Sequence, residues 1–97
     1  MLRHVVFWRF KPGVPAERRR EMKERLEALA GVVPSLRAIE AGEDALKTEA
    51  SMDMALCATF DDAEGLKAYA EHPAHLEVVG FVKPLVAERR VVDYVVE

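Results

Sequence analysis

Tyr69-Ala70-Glu71-His72-Pro73-Ala74-His75 is the stretch on which the reading of this 97-residue chain turns. Pro73 has no amide hydrogen to give a helix, and it pushes the residue before it out of helical dihedrals. The helix that enters through Leu66 and Tyr69 should therefore end at about His72, with a short second helix starting at Pro73. Upstream, Asp61 or Asp62 suits the N-cap of the first helix, and Glu64 falls in its first turn. Downstream, Leu76, Val79, Phe81 and Val82 continue an apolar face until Pro84.

Strand patterns flank this broken helix. Met52 to Phe60 alternates, with Met52, Met54, Leu56, Ala58 and Phe60 opposed to Asp53, Ala55, Cys57 and Thr59, and reads as a central strand buried on both faces. Arg89 to Val96 reads as the last strand, with Val91, Asp93 and Val95 on one face and Val92, Tyr94 and Val96 on the other. Near the start, Leu2 to Phe10 is rich in strand formers and stops at Lys11-Pro12-Gly13. Leu2, His4, Val6, Trp8 and Phe10 share one of its faces; Arg3, Val5, Phe7 and Arg9 share the other. Pro15 to about Ala30 reads as an amphipathic helix, with Met22, Leu26, Leu29 and Val33 at three- or four-residue spacing and Gly31 as its stop. After Pro34 a weaker strand is expected over Leu36 to Gly42, then a polar loop from Glu43 to Ser51.

The order strand, helix, strand, strand, helix, strand defines an α+β class: a ferredoxin-like βαββαβ protomer, with an antiparallel four-stranded sheet and its helices on one face. Residues 1–97 are expected to form one domain, since a chain this short closes a single core. Val5, Phe7, Ile39 and Ala55 suggest apolar content on the face away from the helices. The expected cover is a second copy, a homodimer formed through the sheet face, in which two sheets pair into a dimeric α/β barrel.

Composition removes several classes of partner. Hydrophobic residues make up 51% and charged residues 32%, which is a folding profile and not a disordered one. A net charge of −3 provides no footprint for nucleic acid, and Arg18, Arg19 and Arg20 are balanced by Glu17, Glu21, Glu24 and Glu27. No apolar run approaches the ~20 residues that span a bilayer. With a lone Cys57 unable to form an internal disulfide, a cytoplasmic location is expected. Asn and Gln are absent and arginine outnumbers lysine, the pattern expected of a thermophilic source. No glycine-rich phosphate loop, paired CxxC or nucleophile elbow occurs.

The sequence His4-Val5-Val6-Phe7, then Ser51-Met52-Asp53-Met54-Ala55-Leu56, then Tyr69 to His75, then Val92-Asp93-Tyr94, resembles the stress-responsive α/β barrel (Dabb) family from Leu2 to Val96. The resemblance implies dimeric barrels of ferredoxin-like protomers, many of them with no assigned activity. A plant member is a polyketide cyclase that closes a ring by intramolecular aldol condensation without metal or cofactor. By the Tyr-x-x-His-Pro-x-His match, the resemblance implies that His75 and Tyr69 stand where that cyclase has its histidine and tyrosine, and His4 where it has a strand histidine. A further pocket histidine of the cyclase falls on Met54, and its bulky tunnel aromatics are replaced on the first helix by charged or small residues.

Such a cyclase needs a base for a carbon-bound proton and a donor for the resulting oxyanion, roles that suit histidine and tyrosine. The candidate catalytic groups are therefore His75 and Tyr69, with Asp93 orienting His75 through its other ring nitrogen. The expected ligand pocket adds His4, Val6, Trp8, His72 and Val91, and takes a small apolar, aromatic or ketone-rich metabolite. No cofactor and no metal is expected, because the His-x-x-His spacing crosses a proline and no carboxylate or thiolate lies close by. The competing expectation is a non-catalytic stress-response or structural homodimer whose histidines only stabilise the fold. In that reading His72 bonds local backbone, and His75 donates to Asp93.

Overall fold

The computed structural model describes every residue from Met1 to Glu97. Its elements follow the expected order: β1 Leu2–Phe10, α1 Ala16–Glu27, β2 Ala38–Glu43, β3 Met54–Phe60, α2 Ala63–Glu71, α3 Pro73–Val82, a 3-10 turn Lys83–Leu85 and β4 Val86–Val95. The four strands form one antiparallel sheet in the order β2-β3-β1-β4. This is the ferredoxin-like βαββαβ fold. The long β1 sits inside the sheet, where its apolar residues are covered on both edges, and pairs with β3 from Leu2↔Phe60 to Trp8↔Met54.

One face of the sheet carries the core. Val6, Trp8, Met54, Leu56, Ala58 and Phe60 point toward the helices and meet Met22 and Leu26 of α1, Tyr69 of α2, and Val78 and Val82 of α3. Removing any one of these large aliphatic side chains would cost about 2–5 kcal/mol, because so dense an interior closes only partly over the gap. Arg25 of α1 lies 4.3 Å from the centre of the Phe81 ring, a cation-π contact that joins α1 to α3.

The break between α2 and α3 falls at Pro73. Asp62 caps α2 by accepting from the Gly65 amide, and His72 caps α3, its Nδ1 accepting from the Ala74 amide at 3.0 Å. Pro73 occupies the first position of α3, where a missing amide hydrogen costs nothing.

Several boundaries differ from the sequence reading for physical reasons. α1 stops at Glu27, and its exit continues as tight turns, with Leu29 and Ala30 amides bonding back to Leu26 and Glu27. Gly31 serves those turns with a φ of 81°. β3 begins at Met54, because Met52 and Asp53 lie in the approach to the strand; Asp53 accepts from the Phe10 amide at 2.8 Å. β4 begins three residues early, at Val86, since the 3-10 turn delivers the chain directly beside Phe10. A bulge follows: Arg9 pairs with Glu88 but Phe10 with Val86.

Ile39 requires a correction. It pairs with Ala58 and packs against the core on the helix side, so it adds nothing to the far face. Leu36 is also buried, because it lies in the turn before β2, and strand alternation counted from it fails. The far face instead presents Val5, Phe7, Ala55, Cys57, Val92 and Tyr94, with Arg3, Arg9, Glu40, Glu88 and Arg90 around them. No helix is long and apolar enough to cross a membrane.

Candidate functional site

Between the sheet and the α2–α3 junction lies a cavity of about 380 Å³. Known small-molecule sites span roughly 300–1,000 Å³, so it can take a compact ligand. Its walls are mostly apolar, from Val6, Trp8 and Leu56 of the sheet and Val78, Val79 and Val82 of α3. The polar groups are few: His4, Tyr69, His75, Lys83 and Arg89. A larger, shallower hollow of about 660 Å³ lies on the far side, between Phe7, Ala55 and the loop after β2. It holds no histidine or tyrosine, and it opens on the face that carries Val5 and Phe7.

Tyr69 comes from the second turn of α2 and is only 1% exposed. Its ring packs on Phe60 at 5.1 Å between centroids, on His75 at 4.2 Å and, edge-on, on His4 at 6.4 Å. No protein group accepts from its hydroxyl, and no buried side-chain oxygen in the chain is sealed off without a partner, so the hydroxyl opens to the cavity. Burial pushes the phenol up to about 12, against the opposing pull of the Arg89 charge. At neutral pH Tyr69 is a proton-bearing donor.

His75 sits in the first turn of α3, half-buried. Its Nδ1 lies 3.2 Å from the Ala70 carbonyl, which can only accept, so Nδ1 carries the hydrogen and Nε2 of the neutral ring keeps a free lone pair. Desolvation is the main force holding its pKa below the usual 6.5. The bond to Ala70 opposes it, and the charges of His4, Arg89 and His72 add to it. The neutral ring is therefore the resting form.

Asp93 does not orient His75. The register Leu2↔Val95 sets Asp93 opposite His4, and His4 Nδ1 donates to Asp93 Oδ1 at 2.5 Å. His4 is nearly buried, and the bond ties β1 to the edge strand β4. Its Nε2 is left for the cavity. Two other expectations also change. His72 lies outside the lining, because its ring is turned onto the Ala74 amide as a helix cap. Val91 faces the helix side opposite Val6 but lies beyond their cover on the edge strand, 38% exposed and outside the lining. His4, Val6, Trp8, Tyr69 and His75 do line it.

Besides Lys83, Arg89 is a polar lining group that the sequence reading overlooked. It pairs with Trp8 across the β1–β4 ladder and shares the inward phase of Val91 and Asp93. The alternation that singled out Asp93 points equally to it. No three His, Cys, Asp or Glu side chains converge where a metal ion could sit.

A four-stranded antiparallel sheet backed by helices, with a small apolar pocket between the two layers, defines the chain as a ferredoxin-like α+β protein. Its relatives narrow this. The model of the stress responsive A/B barrel domain matches residues 2–96. An uncharacterized protein of Streptomyces coelicolor is 35% identical over 77 residues, which are 77% of this chain and 79% of that one. The chain belongs to the stress responsive A/B barrel (Dabb) domain family. Among solved structures, a dimeric ferredoxin-like protein of unknown function from Thermobifida fusca superposes with a TM-score of 0.89 at 25% identity, covering 98% of this chain and 90% of the other. A hydroxynitrile lyase from Passiflora edulis superposes with a TM-score of 0.86 at 21% identity, covering 99% and 93%; that likeness is one of fold.

Proposed function

We infer that the protein is a homodimer whose protomers each bind a small, mostly apolar ketone in the sheet–helix pocket and move a proton on it without a cofactor. The observation that carries this reading is the meeting of Tyr69 and His75, rings 4.2 Å apart, at the wall of a cavity with room for a ligand. With its Nδ1–H engaged by Ala70, His75 offers Nε2 to a carbon-bound proton beside the ketone. The electron pair left on carbon moves onto the carbonyl oxygen, and the Tyr69 hydroxyl donates a hydrogen bond to the oxyanion formed. His4, braced by Asp93, presents a second imidazole to the same cavity.

Dimer formation through the far face is supported by its exposed apolar residues, with Val92 54% and Tyr94 43% exposed, and by the dimeric Thermobifida relative. The alternative is a non-catalytic homodimer in which the histidines serve the fold. It is favoured by the bond from His4 to Asp93, which couples two strands whatever else it does. Proton exchange separates the two readings. Incubated with acetophenone in D₂O, the protein should speed deuterium entry into the methyl group, followed by NMR, and His75→Ala should abolish the acceleration while remaining folded. Exchange no faster than in buffer, or a His75→Ala protein that unfolds, would favour the structural reading.

A further inference from the structure

The cationic side of the pocket asks for an anionic ligand. Acidic residues outnumber basic ones in this chain, 17 to 14, and most arginines have found a carboxylate. Arg9, Arg18, Arg19, Arg25, Arg37 and Arg90 each form an ion pair. Arg3, Arg20 and Arg89 form none, and of these three Arg89 alone lines the cavity. The nearest carboxylate on its own strand face, Asp93, is held by His4. Lys83, also in the lining and also without an ion pair, stands at the C-terminal end of α3, where a cation complements the helix dipole. Arg89 has no such second employment.

Depth orders the groups. Tyr69 is buried at the inner wall, whereas Arg89 and Lys83 are exposed at the rim. Val6, Trp8, Val78 and Val82 supply apolar wall to the same cavity. Resting on the reading of this cavity as a ligand site, we propose that its ligand carries a carboxylate, held by the Arg89 guanidinium at the rim with Lys83 beside it, and that its apolar body directs the ketone inward to Tyr69 and His75. A guanidinium suits this task because its planar fork matches the two oxygens of a carboxylate.

The test uses two probes of nearly the same shape, the anionic 4-acetylbenzoate and the neutral 4-acetylbenzamide, titrated into isotope-labelled protein by NMR at low ionic strength. The carboxylate should bind at least ~10-fold more tightly than the amide, the difference expected for a charge-assisted hydrogen bond. Arg89→Gln should bring the two affinities together, Arg89→Lys should keep part of the difference, and added salt should shrink it. Equal affinities in the wild type, or a preference that survives Arg89→Gln, would overturn the role of Arg89 and leave the pocket standing. Failure of both probes to shift resonances of the cavity residues would overturn the pocket reading and this inference with it.

Discussion

Tyr69→Phe isolates a single oxygen atom. The ring it leaves behind keeps its contacts with Phe60, His75 and His4, while the lost hydroxyl has no protein partner. Removing a polar group that bonds nothing in the fold should change stability by no more than ~0.5 kcal/mol. For a domain of this size, where 1 kcal/mol corresponds to roughly 4–8 °C, that is a shift in Tm of less than ~4 °C. Tyr69→Ala deletes the buried ring as well and should cost about 3–5 kcal/mol, lowering Tm by at least ~12 °C. Function should not follow stability, because both variants lack the hydroxyl. If the hydroxyl stabilises an oxyanion, Tyr69→Phe alone should slow proton exchange by ~10²–10³-fold, the usual loss for one such donor. Differential scanning calorimetry at one fixed protein concentration, beside the exchange assay, reads both effects. A Tyr69→Phe protein that melts more than ~8 °C lower would refute the reasoning, because the hydroxyl would then hold the fold together.

The imidazole of His75, followed by NMR, should titrate below 6.5, and because its folded pKa is depressed the protein should lose stability as pH falls below that value; an unchanged midpoint would remove the desolvation argument. In Tyr94→Phe, which leaves Tyr69 as the one remaining tyrosine, the phenolate absorbance should rise with a midpoint near 12. Asp93→Ala should destabilise by about 1–3 kcal/mol by leaving the His4 ring nitrogen without its partner, toward the lower end because the Asp93 side chain is 39% exposed. A double-mutant cycle with His4→Ala should show coupling, and strict additivity would mean that the pair contributes nothing. Val92→Asp places a charge on the far face and should shift the protein from dimer to monomer in light scattering, with a dimer that persists at micromolar concentration counting against sheet-face association.

How far the sequence discloses this molecule depends on whether a feature is local. The alternation in β1 and β3 is written in consecutive residues, and so is the proline that ends α2; all three are readable without coordinates. Registers are not. Whether Asp93 meets His4 or His75 depends on how β4 slides along β1, and a register is fixed only by the packed sheet and by the bulge near Phe10. Ile39 was misplaced for a related reason, since Leu36 looks like a strand residue but precedes the strand. His4 could be named as a pocket residue because a strand phase is a local fact, and Tyr69 and His75 because the Tyr-x-x-His-Pro-x-His motif that carries the family resemblance is a run of consecutive residues. The neighbourhood of each could not, because that is set by pairings across 89 residues of chain for His4 and Asp93.

The helix break at Pro73 does more than divide α2 from α3. In an unbroken helix the Ala74 amide would bond to the Ala70 carbonyl, and His75 would find that oxygen already taken. Here the Ala74 amide goes to His72 instead, and the Ala70 carbonyl is left for the imidazole of His75. A residue with no ionisable group thereby decides which nitrogen of its neighbour two positions on carries hydrogen. Replacing Pro73 with alanine, a change that looks conservative for a helix, would invite the backbone to reclaim that oxygen and would let the histidine's hydrogen wander between its two nitrogens.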